Sequence, residues 1–203
     1  MTAIVFDFGG VVIDWDPRYL FRKLFDGNAN AVEPFLTEIG FVEWNHKQDE
    51  GRPFAVAVNE LCRRFPQHAD RIRAYDQRWL ESIGGPIEGT IQILRSLKDA
   101  GYVLLGLTNW SGEKFPLVRS RYPFFDWFDT IVVSGEEGLA KPDPQIFQLL
   151  LQRSNRQAGE CLFIDDSETN VAVARQLGFH AIRFQSSPQL RLELEGLGLL
   201  PAK

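Results

Sequence analysis

Five short runs of this chain are almost continuously apolar rather than alternating: about Ala3–Phe8, Tyr102–Thr108, Thr130–Ser134, Cys161–Asp165 and Ala181–Phe184. A strand that is apolar on both faces has to be covered on both faces, which is the situation of parallel strands in an α/β sheet. Between the last four runs lie helical patterns of crossover length. Thr90–Ala100 carries Ile91, Leu94 and Leu97 at helical spacing and stops at Gly101. Asp143-Pro144 reads as an N-cap with proline at the first helical position, opening Gln145–Arg153, and Glu168–Leu177 closes at Gly178. Strand and helix alternate from about residue 86 onward. The predicted fold is therefore α/β, a doubly wound, parallel, Rossmann-like sheet of about five strands.

The stretch after the first strand breaks that alternation. Roughly Asp16–Gly85 contains no convincing strand, but it holds amphipathic patterns at Pro17–Phe25, Val32–Ile39 and Phe54–Arg64. We read it as an inserted helical subdomain, tethered near Asp14–Asp16 and near Gly84-Gly85-Pro86. The expected division is residues 1–15 with 86–203 as the core and 16–85 as the insertion. The tail after Gln185 reads as a peripheral helix.

At 203 residues the chain accommodates one domain with a modest insertion. A formal net charge of −5 argues against a nucleic-acid partner, which would call for a basic stripe. It does not argue against an anionic substrate, because one lysine and a metal can reverse the field in a cleft. Cys62 and Cys161 are far apart and form no C-x-x-C, so a reduced, cytoplasmic setting is expected. Met1-Thr2-Ala3 lacks a basic leader, and no apolar run approaches spanning length, so no membrane association is expected.

Four segments carry chemistry just after, or close after, a short apolar run. Asp7 follows Ile4-Val5-Phe6, Thr108-Asn109 follow Leu105-Gly106-Leu107, Lys141 sits in Gly138-Leu139-Ala140-Lys141-Pro142, and Asp165-Asp166-Ser167 follow Leu162-Phe163-Ile164. In open α/β sheets such strand ends meet in the crevice where ligands bind. Taken singly, each has a plain structural reading: a turn aspartate, a turn Thr-Asn, a solvated lysine, a helix cap at Asp166 or Ser167. Together they supply a carboxylate, a hydroxyl, an ammonium and an acidic pair, nearly a parts list for phosphoryl transfer. Asp7 reads as a nucleophile that would form an aspartyl-phosphate. An anion attacking a phosphate dianion needs charge compensation, and Mg²⁺ suits hard oxygen ligands.

Four motifs in this order and spacing resemble the haloacid dehalogenase-like (HAD) hydrolase superfamily, specifically its small-metabolite phosphatases with a helical cap after the first strand. Phe6-Asp7-Phe8-Gly9-Gly10-Val11-Val12-Ile13-Asp14-Trp15-Asp16 looks most like the α-D-glucose-1-phosphate phosphatase branch. The resemblance implies a phosphomonoesterase with Asp7 as nucleophile and Lys141 beside it. It implies that Thr108, Asn109 and Lys141 hold the phosphoryl group. It also implies a Mg²⁺ site of Asp7, the Gly9 carbonyl and Asp166, with Asp165 acting through water or orienting Lys141. The substrate implied is a small phosphorylated metabolite, a sugar phosphate preferred, for a monomer or homodimer.

One position departs from the family pattern. Most of these phosphatases carry a second aspartate two residues after the nucleophile, as general acid and base; here that residue is Gly9. Three explanations compete: a leaving group that needs little protonation, such as an anomeric sugar oxygen, which the resemblance favours; a stand-in carboxylate at Asp14 or Asp16; or a weak or inactive relative, with a non-catalytic phosphometabolite-binding protein as the rival reading. A 2-haloacid dehalogenase is a further rival, disfavoured because its chemistry has no use for Asp165-Asp166. Specificity is expected from the cap, where Trp44-Asn45-His46-Lys47 and Asp49-Glu50-Gly51-Arg52 form a polar-aromatic patch suited to a sugar. Arg18 and Arg22 are candidates for a second anion. His46, His68 and His180 show no metal-ligand spacing.

Overall fold

The computed structural model describes residues 3–201. Seven strands are present among them: β1 (Ala3–Phe6), β2 (Ile13–Trp15), β3 (Ile83–Pro86), β4 (Val103–Thr108), β5 (Thr130–Val133), β6 (Cys161–Asp165) and β7 (His180–Arg183). Five of these make one sheet in the order β5-β4-β1-β6-β7, and every pairing in it is parallel. The chain runs from central β1 out to β4 and β5, then crosses to β6 and β7 on the other side. That reversal puts the topological switch point beside β1. Phe6 pairs with Gly106 on one side and with Ile164 on the other. The register therefore places Asp7 between the ends of β4 and β6.

Alternation along β1 explains the two apolar layers. Ala3 and Val5 pack with Leu105, Leu107 and Phe163 against Ile146, Phe147 and Leu150 of the helix Pro144–Ser154. Ile4 and Phe6 face the other way, onto Ile93, Leu94 and Leu97 of the helix Glu88–Asp99 and Leu190 and Leu194 of the helix Ser187–Gly196. The expected caps are present: Asp143 accepts from the Gln145 backbone N–H, with Pro144 opening its helix.

Between β2 and β3 the chain is helical: Pro17–Leu24, Ala29–Glu38, Phe41–Asp49, Phe54–Arg64 and Ala69–Gln77. Their interior is aromatic, with Phe21, Phe41, Trp44, Phe54 and Tyr75 in mutual ring contact. It belongs to the same apolar cluster as Phe6 and Phe8, so this layer, the cap, rests on a continuous core. The stretch expected to lack strands ends in one. β2 and β3 pair antiparallel, Ile13 opposite Pro86 and Asp14 opposite Gly85, and bind the two cap junctions into a ribbon. Among the described residues no helix is long and apolar enough to cross a membrane.

Candidate active site

Asp7 leaves β1 with its backbone N–H bonded to the Ile164 carbonyl. The chain then turns tightly: the N–H groups of Val11, Val12 and Ile13 all point at the Phe8 carbonyl, and Gly10 adopts φ +73°. A β-carbon on Gly10 would sit 2.9 Å from an Asp166 carboxylate oxygen, so this turn requires glycine for both its backbone angle and that close approach.

Lys141 organises the charges. Its ammonium lies 3.0 Å from Asp7 Oδ1 and 2.7 Å from Asp165 Oδ2, and it donates to the Leu107 carbonyl at 2.8 Å. Asn109 fixes the Lys141 main chain from both sides, accepting from its N–H and donating to its carbonyl, each at 2.8 Å. Burial works against the Lys141 ammonium, but Asp7 and Asp165 outweigh it and raise its pKa above the ordinary range. It is a permanent cation.

Asp165 is fully buried and saturated with donors. Besides Lys141 it accepts from the Ser167 N–H at 2.8 Å and from Asn170 Nδ2 at 3.1 Å on both oxygens. Its neighbour Asp166 is exposed and turned toward the Gly10 loop. Asp7, Asp165 and Asp166 each offer an oxygen within 4.8 Å of the others. Burial pushes the Asp7 carboxyl up to about 7; Lys141 pulls it back, while Asp165 and Asp166 push it further. Asp7 and Asp165 thus share one ammonium, with the Asp166 carboxylate alongside them. All the donors are hard oxygens, and the set fits a divalent cation that takes oxygen ligands.

At the end of β4, Thr108 is completely buried and its hydroxyl has no partner among the described residues. A buried orphan hydroxyl is costly unless a ligand satisfies it, and a phosphoryl oxygen here would do so. Asn109, expected to contact substrate, has committed its carbonyl and one amide hydrogen to Lys141. One amide hydrogen is left over for a ligand.

The candidates for replacing the missing aspartate fare poorly. Asp14 accepts from the Tyr19 hydroxyl at 2.7 Å, and Asp16 caps the helix Pro17–Leu24 by accepting from the Arg18 N–H. The sugar-stacking role for Trp44 also fails. Trp44 is buried in the aromatic interior of the cap, donating its indole N–H to the Ala57 carbonyl. Arg18 is held by Glu33 and Asp16. Sequence reasoning passed over Trp15, Trp79 and Trp110, which line a cavity of about 50 Å³ together with Gly9, Asn45 and Asp49. A tryptophan following Thr-Asn at a strand end was the available signal for Trp110.

A charged crevice at the carboxyl edge of a doubly wound sheet, with a helical layer packed over it, defines a hydrolase of α/β architecture with an acidic, lysine-bridged site. The chain belongs to the haloacid dehalogenase-like hydrolase family, whose model matches residues 1–178. It is 27% identical over 201 residues to the D-ribitol-5-phosphate phosphatase of Bacteroides thetaiotaomicron, covering 94% of this chain and 95% of that one. Over 111 residues it is 40% identical to the acyl-CoA dehydrogenase family member 10 of Mus musculus. That match takes in 52% of this chain and only 10% of that much longer protein. A HAD family enzyme of Bacteroides thetaiotaomicron, crystallised with magnesium and inorganic phosphate, superposes with a TM-score of 0.71. The two are 25% identical over 92% of this chain and 95% of the other.

Proposed function

We propose that this protein is a Mg²⁺-dependent phosphatase of a small phosphorylated metabolite, a sugar phosphate such as glucose 1-phosphate preferred. One observation carries the reading: Asp7, Asp165 and Asp166 converge within 4.8 Å at the switch point, with the Lys141 ammonium against the first two. The D-ribitol-5-phosphate phosphatase, similar over nearly its whole length, supports a phosphorylated polyol or sugar as substrate.

In this reading Asp7 attacks phosphorus through a carboxylate oxygen, the bond to the leaving oxygen breaks, and an aspartyl-phosphate remains for water to hydrolyse. Lys141 holds Asp7 in line and neutralises phosphoryl charge. The Thr108 hydroxyl and the free amide hydrogen of Asn109 bind the phosphoryl oxygens. Asp7, Asp166 and the Gly9 carbonyl would hold Mg²⁺, with Asp165 positioning Lys141. When bound, the ion supplies charge compensation for the approach of a carboxylate to a phosphate dianion. A dehalogenase has no use for Asp166, which speaks for phosphate over halide.

The test is phosphate release from a panel of sugar and polyol phosphates, glucose 1-phosphate included, with Mg²⁺ and with EDTA, beside Asp7→Asn. Turnover is expected only with metal and Asp7, and the variant is expected to lose on the order of 10⁶-fold in kcat, as when other enzymes lose their nucleophile. Tight binding of the same compounds without turnover would replace this reading with that of a binding protein.

A further inference from the structure

Residue 9 offers no side chain, yet an alkyl leaving group needs a proton and the attacking water must lose one. Asp14 and Asp16 are both engaged elsewhere, as described above. The cap supplies another carboxylate. Asp49 ends the helix Phe41–Asp49 and lines the same cavity as Gly9 and Asn109. We propose that Asp49, lowered onto the site by the cap, performs the acid–base chemistry that residue 9 lacks; the inference rests on the phosphatase reading above.

Its placement is built from both sides of the cleft. The Asp49 carbonyl accepts from the Ser134 hydroxyl, at the exit of β5, and that hydroxyl also accepts from the Trp110 N–H at 2.9 Å. The carboxylate accepts from the Ser111 backbone N–H and, at 3.2 Å, from Asn45 Nδ2. Asn45 is itself held by the Tyr75 hydroxyl at 3.1 Å. Two residues on, Gly51 takes φ +98°, and a β-carbon there would come within 3.1 Å of the Gly135 carbonyl oxygen. Cap backbone and core backbone touch at this point, so Asp49 is fixed relative to Asp7.

The cavity that Asp49 lines, beside Gly9 and Asn109, is small and polar where it matters. About 50 Å³ holds water or the oxygen of a leaving group but not a whole sugar phosphate. Two of its lining residues, Trp15 and Trp110, have buried indole N–H groups without partners among the described residues. Trp110 is only 5% exposed, and its ring edge lies 4.0 Å from where a β-carbon on residue 9 would be. A carboxylate beside a water-sized space, next to residue 9, makes a site for an oxygen that gains or loses a proton.

The charge environment agrees. Burial pushes the Asp49 carboxyl up to about 7, with Asp7 and the neighbouring Glu50 adding to the shift and the Ser111 N–H and the Asn45 amide opposing it. A group that titrates near neutrality serves as acid in one step and base in the next. In the first step protonated Asp49 gives its proton to the oxygen leaving phosphorus as Asp7 bonds to it. In the second the Asp49 carboxylate takes a proton from water as the water oxygen bonds to phosphorus. The Asp7–phosphorus bond then breaks, returning Asp7 as carboxylate and releasing inorganic phosphate.

The experiment compares an alkyl phosphate from the active panel with p-nitrophenyl phosphate, whose leaving group needs no proton, in wild type and Asp49→Asn with Mg²⁺. On the alkyl phosphate we expect a loss of about 10²- to 10⁴-fold in kcat/KM. On p-nitrophenyl phosphate we expect a burst of one nitrophenolate per protein and then slow turnover, because the aspartyl-phosphate forms but lacks its base. Gly9→Asp in the Asp49→Asn background should restore steady turnover, since residue 9 has room for a β-carbon. Asp49→Asn within a few-fold of wild type on both substrates, or an equal loss on both without a burst, overturns the assignment. A second measurement needs no variant. Wild-type kcat/KM for the alkyl phosphate should fall above about pH 7 while that for p-nitrophenyl phosphate holds level; parallel profiles would count against Asp49. Wild type inert toward both compounds would sink the phosphatase reading as well, whereas active wild type with an unaffected variant sinks only this one.

Discussion

The sheet side of the cleft and its cap side handle charge in opposite ways. Beneath, Asp7, Lys141 and Asp165 are buried and bound to one another, each placed by strand register or by the Asn109 clamp. Above, the cap interior is a stack of aromatic rings, and its ion pairs, such as Arg18–Glu33 and Lys23–Glu81, lie toward solvent. Asp49 is the exception, a partly exposed carboxylate held over the cavity by hydrogen bonds that cross the cleft. The sheet fixes its charges by folding; the cap fixes its charge only by docking. Charges on the first side should therefore govern stability and chemistry together, while those on the second can be separated.

The sharpest break in that contrast is Lys141→Met. It leaves Asp7 and Asp165 buried and facing each other with no cation between them, and should cost about 3–5 kcal/mol in a urea titration as well as abolishing turnover. Adding Asp165→Asn should return much of the stability and none of the activity. Recovery of activity in the double variant would mean that Lys141 acts only as a structural counter-ion.

Metal comes next in size. Saturating Mg²⁺ at about 100 times its dissociation constant stabilises a protein by roughly 2.7 kcal/mol. Thermal melting should rise accordingly in wild type and fail to do so in Asp166→Asn, because Asp166 is the exposed member of the acidic trio. An equal rise in the variant would remove Asp166 from the ligand set.

The last effect tests the cap. Asp49 titrates at its ordinary 3.8 in the unfolded chain and at about 7 in the folded one. Between those values the native protein holds a proton that the unfolded chain has released. Stability therefore declines as pH rises through this window, and the full cost is felt above 7. Asp49→Asn escapes the cost. It should melt several degrees above wild type on the alkaline side of 7 and match it below 3.8. A variant that gains stability while losing alkyl-phosphate turnover would show docking and chemistry pulling apart, as the contrast requires.

The same contrast decides what could be read from the sequence. The five strands of the main sheet fall within a residue or two of the apolar runs, because a strand buried on both faces writes its burial into consecutive letters. Three of the four motifs were legible for the same reason, each hanging on the end of such a run, while Lys141 lies beyond β5 and was legible from its Gly-Leu-Ala-Lys-Pro-Asp setting. The helix Phe41–Asp49 was not, since its buried positions are Phe41, Trp44 and the polar Gln48, with Asn45 and Asp49 half-buried and the rest exposed. Nor was Ala69–Gln77, which buries only Ile72 and Tyr75. β3 is written Ile-Gly-Gly-Pro, against every strand preference, and exists because β2 pairs with it. The Asn109 clamp joins positions far apart in the chain, and Asp49 reaches the site only through contacts of folded surfaces. No local pattern carries either.

The segment from Thr108 to Lys114 has a consequence of its own. At one end it presents the orphan hydroxyl of Thr108 and the clamp of Asn109. Further along, the Ser111 N–H holds Asp49, Glu113 accepts from the Phe54 N–H at 3.0 Å, and the Lys114 ammonium donates to the Asp76 carbonyl at 3.1 Å. In the proposed function one short stretch of chain would both grip the phosphoryl group and latch the cap. By thermodynamic linkage, whatever free energy phosphate contributes to ordering this stretch is returned as tighter closure, and an open cap must weaken the hold on phosphate by the same factor. Substrate entry and product escape are then two readings of a single coupling constant, set by seven consecutive residues.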